Sequence, residues 1–412
     1  MQARSLTTRV CIVGGGPCGM MLGVLLARAG IDAVVLEQYK DFFRDFRGDT
    51  IHPSTLQLLY ELGWLDDFLK LPHNQMSQIS ACVAGQTMHI GDLSHLPTHC
   101  KFIAFMPQWD FLNFLAERGK RYPTFHLLME TEGVDLIEKD GVVCGVRARN
   151  KDGELTIDAE LVAGTDGRHS TIRQRAGFSV ENLGAPMDVL WMRISKRPGD
   201  PIRPLGTLVN GRLLVMLDRG DYWQCAYIIP KGSFEALKTA GISAFQKDVG
   251  SVVPELADRV KELDDWSKIS LLEVRIDRLS LWHKPGVLCI GDAAHAMSPI
   301  GGVGINLAIQ DAVAAANILA PVLERAPASD RDLARVQERR TFPMKVTQGM
   351  QLFIQNHAID PILKGEVKLK EPPLVMRLVN EFPRLRRLPA RLIGMGARPE
   401  HVHTRDAFVS PA

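Results

Sequence analysis

Apolar residues at positions 9–36 follow the order strand, glycine-rich loop, helix, strand. Arg9–Val13 is a short apolar run that predicts a strand, and Met20–Ala29 predicts a helix that Gly30 can end. Asp32–Leu36 is a second apolar run of strand length. The pattern therefore predicts a β-α-β unit near the start of the chain.

A similar order recurs late in the chain, with a longer loop. Val287–Ile290 predicts a buried strand, and Ile305–Leu323 predicts a long helix with Ala and Leu on its inner face. The loop between them contains glycines and a proline, and glycine lets backbone approach a ligand closely. An ordinary strand–loop–helix crossover has the same pattern, so this stretch alone leaves both interpretations open.

The middle of the chain predicts mostly strands. Phe125–Glu138 and Val142–Arg149 are predicted strands joined by a turn at Lys139–Gly141, and Leu155–Val162 is a further one. Residues 77–100 are also strand-like and leave the first domain. The helices predicted in this part are Pro53–Leu62, Trp109–Arg118 and Ser233–Leu263.

In three strand-like runs, apolar residues occupy the positions that point to either face of the strand. These runs are Asp188–Ile194, Arg212–Leu217 and Tyr222–Ile229. A sheet that is buried on one face only would alternate more cleanly. One face can pack on helices while the other lines an apolar cavity, or both faces can belong to a core. The pattern leaves these two alternatives open.

From Asp330 to the end the pattern is helical and increasingly basic. The basic residues interleave with Leu and Val, and they are Lys364, Lys368, Lys370, Arg377, Arg384, Arg386, Arg387 and Arg391. This pattern favours a helical layer packed on the body with its charges in solvent. A peripheral membrane contact through the same helices is the alternative.

Composition narrows the class of protein. The 412 residues suffice for two or three domains, and 46% hydrophobic with 23% charged residues is ordinary for a globular protein. A net charge of +2 predicts no nucleic-acid partner. Seven cysteines without a Cys-x-x-Cys pair favour a reducing, cytoplasmic location and no metal site. We see no signal peptide, and Met20–Ala27 is too short to span a bilayer.

The loop of the first unit, Gly14–Gly19, fits the pattern G-x-G-x-x-G. In such a loop Gly14 permits the tight turn, Gly16 lets a pyrophosphate approach the backbone, and Gly19 lets the helix pack on the strand. Glu37 ends the second strand, where a carboxylate can accept from ribose hydroxyls. The whole unit predicts a dinucleotide site, and a glycine-rich turn that binds nothing is the alternative.

Two further loops carry polar groups at helix starts. In Gly164–Arg173, Asp166 stands between two glycines before a short helix, which alone is an ordinary N-cap. After the late loop, the helix that begins near Asn306 offers free N–H groups and a partial positive charge. Such a helix start suits a negative charge on a ligand.

Together, the three motifs resemble those of a known enzyme family. Gly14–Glu37, Gly164–Arg173, and Gly291–Asn306 with Asp311 beyond it resemble the single-component flavoprotein monooxygenases, the aromatic hydroxylases related to p-hydroxybenzoate hydroxylase and ubiquinone-biosynthesis hydroxylases. The resemblance covers residues 8–345. It implies an α/β fold with a Rossmann-like FAD-binding domain, an inserted β-sheet substrate domain and C-terminal helices.

The resemblance also implies a division of the chain. The FAD-binding domain would be discontinuous and comprise residues 1–76, 101–180 and 280–345. Residues 77–100 and 181–279 would form the substrate domain, and residues 346–412 a C-terminal helical segment.

The resemblance assigns FAD contacts to Gly14, Gly16, Pro17, Gly19, Glu37, Gln38, Arg47, Gln108, Asp166, Asp292, Pro299, Gly302, Gly304, Ile305 and Asn306. By this analogy Asp166 serves FAD and the transient nicotinamide nucleotide, Asp292 the ribityl chain, and Pro299 the isoalloxazine where oxygen adds. The helix start would face the pyrimidine edge of the flavin, whose reduced form is anionic and is stabilised there.

Departures from the family pattern are mild. Thr165 stands where the family usually has Ala or Cys, and Ser298-Pro299 replaces a common Pro-Pro. The chain has no Trp-x-Trp-x-Ile-Pro, which argues against a flavin halogenase. It also has no second G-x-G-x-x-G, so NAD(P)H is expected to bind as a transient co-substrate without its own Rossmann domain.

The implied activity is that of an FAD-dependent NAD(P)H:oxygen monooxygenase, a hydroxylase that works through a flavin hydroperoxide. The expected partners are a small-molecule substrate and O2, with a homodimer left open. Pro299 and His295 are the candidate catalytic residues, although His295 fits the motif equally well as a structural residue. The alternatives are an FAD-dependent reductase of isoprenoid-type double bonds and a flavin-binding protein without turnover.

The substrate is expected to lie between the middle sheet and Pro299, because flavin chemistry needs a dry pocket. The residues proposed to line this pocket are Trp191, Arg193, Met216, Trp223 and Tyr227. Few of them are charged, so a substrate with several charges would leave desolvated charge unpaired. A largely apolar substrate is therefore expected, and aromatic compounds are the favoured class.

Overall fold

The computed structural model describes residues 4–43, 50–200, 204–366 and 370–409. Its strands are β1 Arg4–Val13, β2 Ala33–Leu36, β3 Thr50–Ile51, β4 Asn74–Met76, β5 Gln78–Val83, β6 Gln86–Asp92, β7 Ile103–Phe105, β8 Phe125–Leu128, β9 Glu132–Lys139, β10 Val142–Asn150, β11 Gly153–Gly164, β12 Val180–Asn182, β13 Met187–Ser195, β14 Gly206–Val209, β15 Arg212–Asp218, β16 Tyr222–Pro230, β17 Ser270–Leu272, β18 Asp277–Leu279, β19 His283–Lys284 and β20 Val287–Cys289. Its α-helices are α1 Pro17–Arg28, α2 Pro53–Glu61, α3 Leu65–Phe68, α4 Gln108–Gly119, α5 Thr171–Arg175, α6 Phe234–Ala240, α7 Ile242–Val252, α8 Gly304–Leu323, α9 Asp330–Ile354, α10 Asp360–Leu363, α11 Leu374–Glu381 and α12 Arg387–Met395.

The first sheet has eight strands and carries the β-α-β unit predicted from the early pattern. Its main path runs β19-β20-β11-β1-β2-β8, and β10 and β9 extend it from β11. Along this path β20, β11, β1, β2 and β8 are parallel. Helix α1 packs against α4 and α8, which covers the parallel strands. The predicted α/β fold is therefore confirmed.

The second sheet has seven strands in the order β17-β13-β16-β15-β14-β5-β6. Its neighbours are antiparallel except β14 and β5. Strands β5 and β6 come from the strand-like excursion at residues 77–100, and they join the same sheet as the strands of residues 187–230. One face of this sheet packs on Phe245 and Val249 of α7, and Val189 and Ile228 on the other face cluster with Ile300.

Two predicted elements are interrupted in the structure. The strand predicted over Phe125–Glu138 is two strands, because Glu130 adopts φ +52° and turns the chain between β8 and β9. The helix predicted over Ser233–Leu263 breaks at Gly241, which has φ +92°, and α7 ends before Pro254. In both cases one backbone position ends an element that apolar periodicity alone would continue.

The C-terminal part is helical, as predicted, and α9 packs on α8. Within the described ranges, one helical stretch, Ile300–Leu323, is long and apolar enough to cross a membrane. About 78% of its apolar window is buried inside the protein, so the stretch is a core helix. Helix α9 continues into a π-helical turn at Gln355–Ile359.

Candidate active site

Four parallel strands of the first sheet end at the same edge. Val13 at the end of β1 is in register with Leu36 of β2 and Gly164 of β11, and Gly164 is in register with Cys289 of β20. The three glycine-containing loops follow β1, β11 and β20, so all of them leave the sheet at this edge. β1 lies between β2 and β11, which makes the edge a switch point where chain connections diverge and ligands bind in open α/β sheets.

The first loop leaves the start of α1 accessible. An ideal Cβ added to Gly16, the N-cap, would meet no atom of the described chain within 4 Å. Among the described residues no side chain caps this helix, and its first turn contains no acidic residue. Free backbone N–H groups and the positive end of the helix dipole therefore face open space, an arrangement that fits a pyrophosphate.

The first and second loops are in direct contact. An added Cβ on Gly19 would lie 2.0 Å from Gly14 O and 2.6 Å from Thr165 Oγ1, so a larger residue there would push α1 off the strand. The Thr165 hydroxyl lies 2.8 Å from Gly14 O and 2.9 Å from Val13 O and shares its proton between these carbonyl oxygens. Thr165, the departure from the family pattern, thus anchors the turn of the first loop.

Asp166 serves as a local cap. Its carboxylate accepts a hydrogen bond from the Ser170 hydroxyl and another from Ile172 N at 3.1 Å, at the start of α5. Although these bonds stabilise the anion, burial dominates and raises the pKa of the Asp166 carboxyl above its ordinary value. These contacts match the structural interpretation of the motif, in which Asp166 orders the second loop.

Asp292 is the acidic residue of the third loop. It lies in a single helical turn, Gly291–Ala293, and its half-buried carboxylate lies 3.4 Å from Arg168 Nη2 of the second loop. An added Cβ on Gly291 would lie 3.2 Å from Cys18 Sγ, which locates the third loop beside the start of α1. All three motifs therefore meet at the sheet edge, and Asp292 is available there to accept from ligand hydroxyls.

His295 is buried behind the loop and does not face the accessible edge. Its Nε2 lies 2.6 Å from Asp311 Oδ2, and its ring packs on Trp282. Asp311 also accepts from Gly291 N at 3.1 Å and from Arg340 Nε at 2.8 Å. Burial would raise the pKa of Asp311, but the facing His295 and Arg340 outweigh it and the pKa is lowered. These contacts favour the structural interpretation of His295, which the motif left open beside the catalytic one.

Pro299 lies in a loop that three buried glutamines hold in place. Gln351 accepts from Ser298 N at 3.1 Å and donates to Ser298 O at 2.9 Å and Ile300 O at 3.0 Å. Gln355 donates to the Ser298 hydroxyl at 2.9 Å, and Gln348 donates to Ala296 O at 3.2 Å. The glutamines come from one face of α9 and its π-helical end, so α9 fixes the conformation of the Pro299 loop.

The end of this loop is tied to β3 and α2. Gly302 has φ +62°, and an added Cβ would lie 2.6 Å from Thr50 Oγ1. The Asn306 side chain accepts from His52 N at 3.0 Å and Thr55 Oγ1 at 2.7 Å, and donates to Thr50 O at 3.2 Å. Gly304 and Ile305 begin α8 directly beyond the loop. The side chain of Asn306 is therefore a structural link, and its backbone is the part that remains for a cofactor.

Other predicted cofactor residues lie around the same edge. Glu37 follows β2 and accepts from Tyr39 N at 3.1 Å, and Gln38 beside it is exposed. Gln108 opens α4 directly after β7, which pairs with β3 at the Thr50 end. Pro17 is the first residue of α1. Arg47 lies outside the described residues.

The five predicted substrate residues do not share one face of the second sheet. Met216, Trp223 and Tyr227 point into the core formed with α6 and α7, where Tyr227 packs edge-on against Phe245 with ring centroids 5.5 Å apart. Burial there raises the pKa of Tyr227 to about 12, so the phenol is neutral. These three residues do not line a pocket beside Pro299, which corrects the sequence-based prediction.

Trp191 occupies the opposite face, where it packs with Val215 and lies in the same apolar cluster as Ile300. Arg193 follows on this face but is exposed and lies over the Tyr222 ring, with 4.9 Å between guanidinium carbon and ring centroid. The face of the sheet toward the Pro299 loop is thus apolar. Side chains alternate strictly between the two faces along β13 and β16. Assigning one residue of each strand to a face therefore assigns all the others.

Two functional contacts were not foreseen from the sequence. The glutamines at 348, 351 and 355 are spaced as one helix face, and this spacing was the available signal. The buried Arg173 pairs with Asp277 at 3.2 Å, and Asp277 also accepts from Ala296 N at 3.3 Å. Nothing local to Arg173 or Asp277 indicates this pair, which joins the second and third loops across 104 positions of sequence.

Comparison with known proteins relates the chain to FAD-dependent monooxygenases. A family model described as FAD binding domain matches residues 7–350. The 6-methylpretetramide 4-monooxygenase of Streptomyces rimosus is 32% identical over 387 residues, which are 93% of this chain and 92% of that protein. The protoasukamycin 4-monooxygenase of Streptomyces nodosus subsp. asukaensis is 28% identical over 394 residues, with 87% and 91% covered.

The fold has solved counterparts. PqsL, a probable FAD-dependent monooxygenase from Pseudomonas aeruginosa, superimposes with a TM-score of 0.73 at 23% identity, over 87% of this chain and 99% of that chain. At this identity the likeness supports the fold, while the family model and the relative from Streptomyces rimosus support the family. The chain belongs to the FAD-binding-domain family of flavoprotein aromatic monooxygenases.

Proposed function

We propose that FAD lies across the carboxyl ends of β2, β1, β11 and β20. The observation that carries the proposal is the meeting of the three loops at this edge, with the accessible helix start at Gly16 and the half-buried carboxylate of Asp292. The helix start would receive the pyrophosphate, Glu37 the adenosine ribose, and Asp292 the ribityl chain. The start of α8, after Gly302 and Gly304, would stabilise negative charge on the reduced flavin.

The substrate is proposed to lie between the Pro299 loop and the facing side of the second sheet. Trp191, Val215 and Ile228 lie on this side, in one apolar cluster with Ile300. An apolar wall of this kind excludes water from the reacting atoms and favours an apolar, aromatic substrate over one with several charges. In the proposed division, residues 77–100 and 181–279 form the substrate domain, and residues 1–76, 101–180 and 280–345 form the FAD-binding domain.

When bound, FAD would supply the redox chemistry, namely reduction by NAD(P)H and insertion of one oxygen atom of O2 into the substrate with release of the other as water. The residues of the chain would position the reacting groups, exclude water from them and stabilise the negative charge that develops. Gln351 and its neighbours fix Pro299, the α8 start stabilises negative charge, and the apolar sheet face keeps out water. NAD(P)H is proposed to bind transiently and to leave after reduction.

Hydroxylation is favoured over the reductase and the non-catalytic alternatives by the activities in the relatives' names. All seven cysteines are free, which supports a reducing, cytoplasmic location. The test is NAD(P)H oxidation by the purified protein in air, with a panel of aromatic acids, phenols, quinone precursors and 6-methylpretetramide. A substrate that stimulates oxidation and gains one 18O atom from 18O2 supports the proposal. Saturation of a double bond without oxygen gain, or no stimulated turnover, contradicts it.

A further inference from the structure

The C-terminal helices expose an unusual set of apolar side chains. Six large side chains between positions 374 and 388 face solvent, and we name them the C-terminal apolar patch: Leu374, Val375, Leu378, Phe382, Leu385 and Leu388. Leu374, Val375 and Leu388 are the most accessible, at 67%, 72% and 74% exposure. Single exposed apolar residues are ordinary on protein surfaces, but a contiguous group of this kind marks an interaction site.

Helix α11 is oriented with its apolar side outward. Leu374 and Leu378 follow the i, i+4 spacing of one helix face, Val375 lies next to them, and Phe382 follows as the residue that ends the helix. The opposite face packs on β6, where the Asn380 side chain accepts a hydrogen bond from His89 N at 2.8 Å. None of the residues of α11 is buried. A helix that only covered the sheet would turn its apolar side inward, so this orientation requires an external partner.

The patch is surrounded by positive charge. Residues 370–391 contain six Lys or Arg and two Glu, a net charge of +4, whereas the whole chain has a net charge of +2. Arg384, Arg387 and Arg391 are exposed beside the leucines. Arg386 instead donates to Val379 O and Asn380 O and holds the end of α11. The segment therefore combines an apolar face with a cationic rim.

We propose that the C-terminal apolar patch docks on an anionic lipid surface. Amphipathic segments with leucine and phenylalanine on one side and arginine around them bind at the boundary of headgroups and acyl chains. The positive charge of this segment distinguishes a lipid surface from a second copy of the chain as the partner. In a symmetric dimer through this patch, each +4 segment would face its own copy and repel it, whereas anionic headgroups attract it. The enzyme would then meet apolar substrates at the surface where they concentrate.

The test uses the FAD-loaded full-length protein with phosphatidylcholine vesicles, either alone or mixed with phosphatidylglycerol, at equal total lipid. Co-sedimentation should be at least about tenfold stronger with the anionic vesicles and should weaken as salt is added, since each arginine near the surface contributes roughly fivefold. Equal binding to both kinds of vesicle, or no binding to either, overturns the proposal.

Two variant pairs locate the surface. The triple variant Leu374→Ser, Leu378→Ser, Leu388→Ser should lose at least about tenfold in vesicle binding, whereas Phe342→Ser, which changes a 57%-exposed residue of α9 outside the patch, should not. Arg384→Gln with Arg391→Gln should lose roughly 25-fold, and Lys120→Gln with Arg149→Gln, which removes the same charge elsewhere, should lose much less.

All these variants change exposed residues, and unchanged Tm and FAD content check that they fold. A triple-leucine variant that binds anionic vesicles like the wild type contradicts the proposal. So does a wild-type protein that ignores vesicles but forms a dimer in solution which the same variant dissociates, because the patch would then be a self-association surface. Neither result depends on turnover, so failure of this proposal is distinguishable from failure of the proposed monooxygenase activity.

Discussion

At the scale of single residues, a substitution at Gly16 is expected to affect cofactor binding without affecting folding. Its φ of −72° is one that any residue adopts, and a side chain there would meet no described atom within 4 Å. Valine at this position is therefore compatible with the folded chain but would occupy the space above the start of α1. We expect Gly16→Val to weaken FAD binding by roughly 100-fold, since several hydrogen bonds to the pyrophosphate are lost.

Fluorescence titration of the deflavinated protein with FAD measures this effect. Gly349→Val is the matched control, because Gly349 is an exposed helical glycine whose added Cβ also meets no atom within 4 Å. The control should bind FAD like the wild type. Wild-type FAD affinity in Gly16→Val would remove the first loop from the cofactor site.

The buried carboxylate of Asp311 makes a prediction about stability and pH. Asp311→Asn removes the charge that faces His295 and one of the two carboxylates that face Arg340, which keeps Glu400 at 3.0 Å, and breaking a buried ion pair costs about 3–5 kcal/mol. Because the folded state lowers the pKa of Asp311, its contribution is fully present above the ordinary carboxyl pKa of about 4 and is lost as pH falls through the lowered folded value.

Urea unfolding at pH 7 and at a series of lower pH values measures the difference between wild type and Asp311→Asn. The difference should be largest at neutral pH and shrink in strong acid. Asp330→Asn, which removes a half-exposed partner of His283, should cost less than about 1 kcal/mol. A difference that grows toward low pH would contradict the assigned charge state of Asp311.

At the scale of elements, α9 holds the Pro299 loop through side chains rather than through backbone pairing. Gln351→Met removes three hydrogen bonds to the loop and should cost about 3 kcal/mol of stability. A loosened loop also admits water near the reacting atoms, so a larger share of NAD(P)H oxidation should yield hydrogen peroxide. The ratio of peroxide to hydroxylated product measures this share.

Gln246→Met is the control for Gln351→Met, since Gln246 donates to Leu263 O in the helical layer away from the loop. It should lose stability without changing the peroxide ratio. Gln351→Met can instead be destabilised while its ratio of peroxide to hydroxylated product stays equal to that of the wild type. In that case the glutamine is a structural residue and does not position Pro299 for the reaction.

The two faces of the second sheet make opposite predictions for two aromatic residues. Trp191→Ala on the face toward Ile300 should retain FAD and raise the peroxide ratio, because it opens the proposed pocket. Tyr227→Ala on the helix-covered face should cost about 3–5 kcal/mol of stability and leave the ratio unchanged. Equal uncoupling in both variants, or in neither, would contradict this location of the pocket.

The same elements explain how far prediction from sequence reached. The β-α-β unit and the strand before α8 were found because local periodicity and glycine spacing determine them. The sides of Trp191 and Tyr227 were not separated, because both alternations of β13 and β16 are apolar and only the packing of α6 and α7 distinguishes them. Likewise, the broken helix at Gly241 depends on one backbone angle that periodicity does not report.

At the scale of the whole molecule, three loops from distant parts of the chain meet at one sheet edge, where we propose that FAD binds. β1, β11 and β20 bring these loops together at adjacent strand ends, and the described residues contain a single sheet edge of this kind. The second sheet is largely antiparallel and lacks the β-α-β arrangement on which a second dinucleotide would rest. We therefore propose that NAD(P)H binds transiently, without a nucleotide-binding domain of its own.

We accordingly expect the purified protein to be yellow, to carry one non-covalent FAD per chain, and to retain no nicotinamide nucleotide after gel filtration. A transient reductant should bind with a Kd well above that of FAD, in the range of roughly 10 μM to 1 mM that is common for enzyme substrates. Chromatography of the acid-released nucleotides and equilibrium dialysis with NADH and NADPH measure both quantities. Stoichiometric NADP that survives gel filtration would require a dedicated second site, and the arrangement of one nucleotide edge and one substrate sheet would then be wrong.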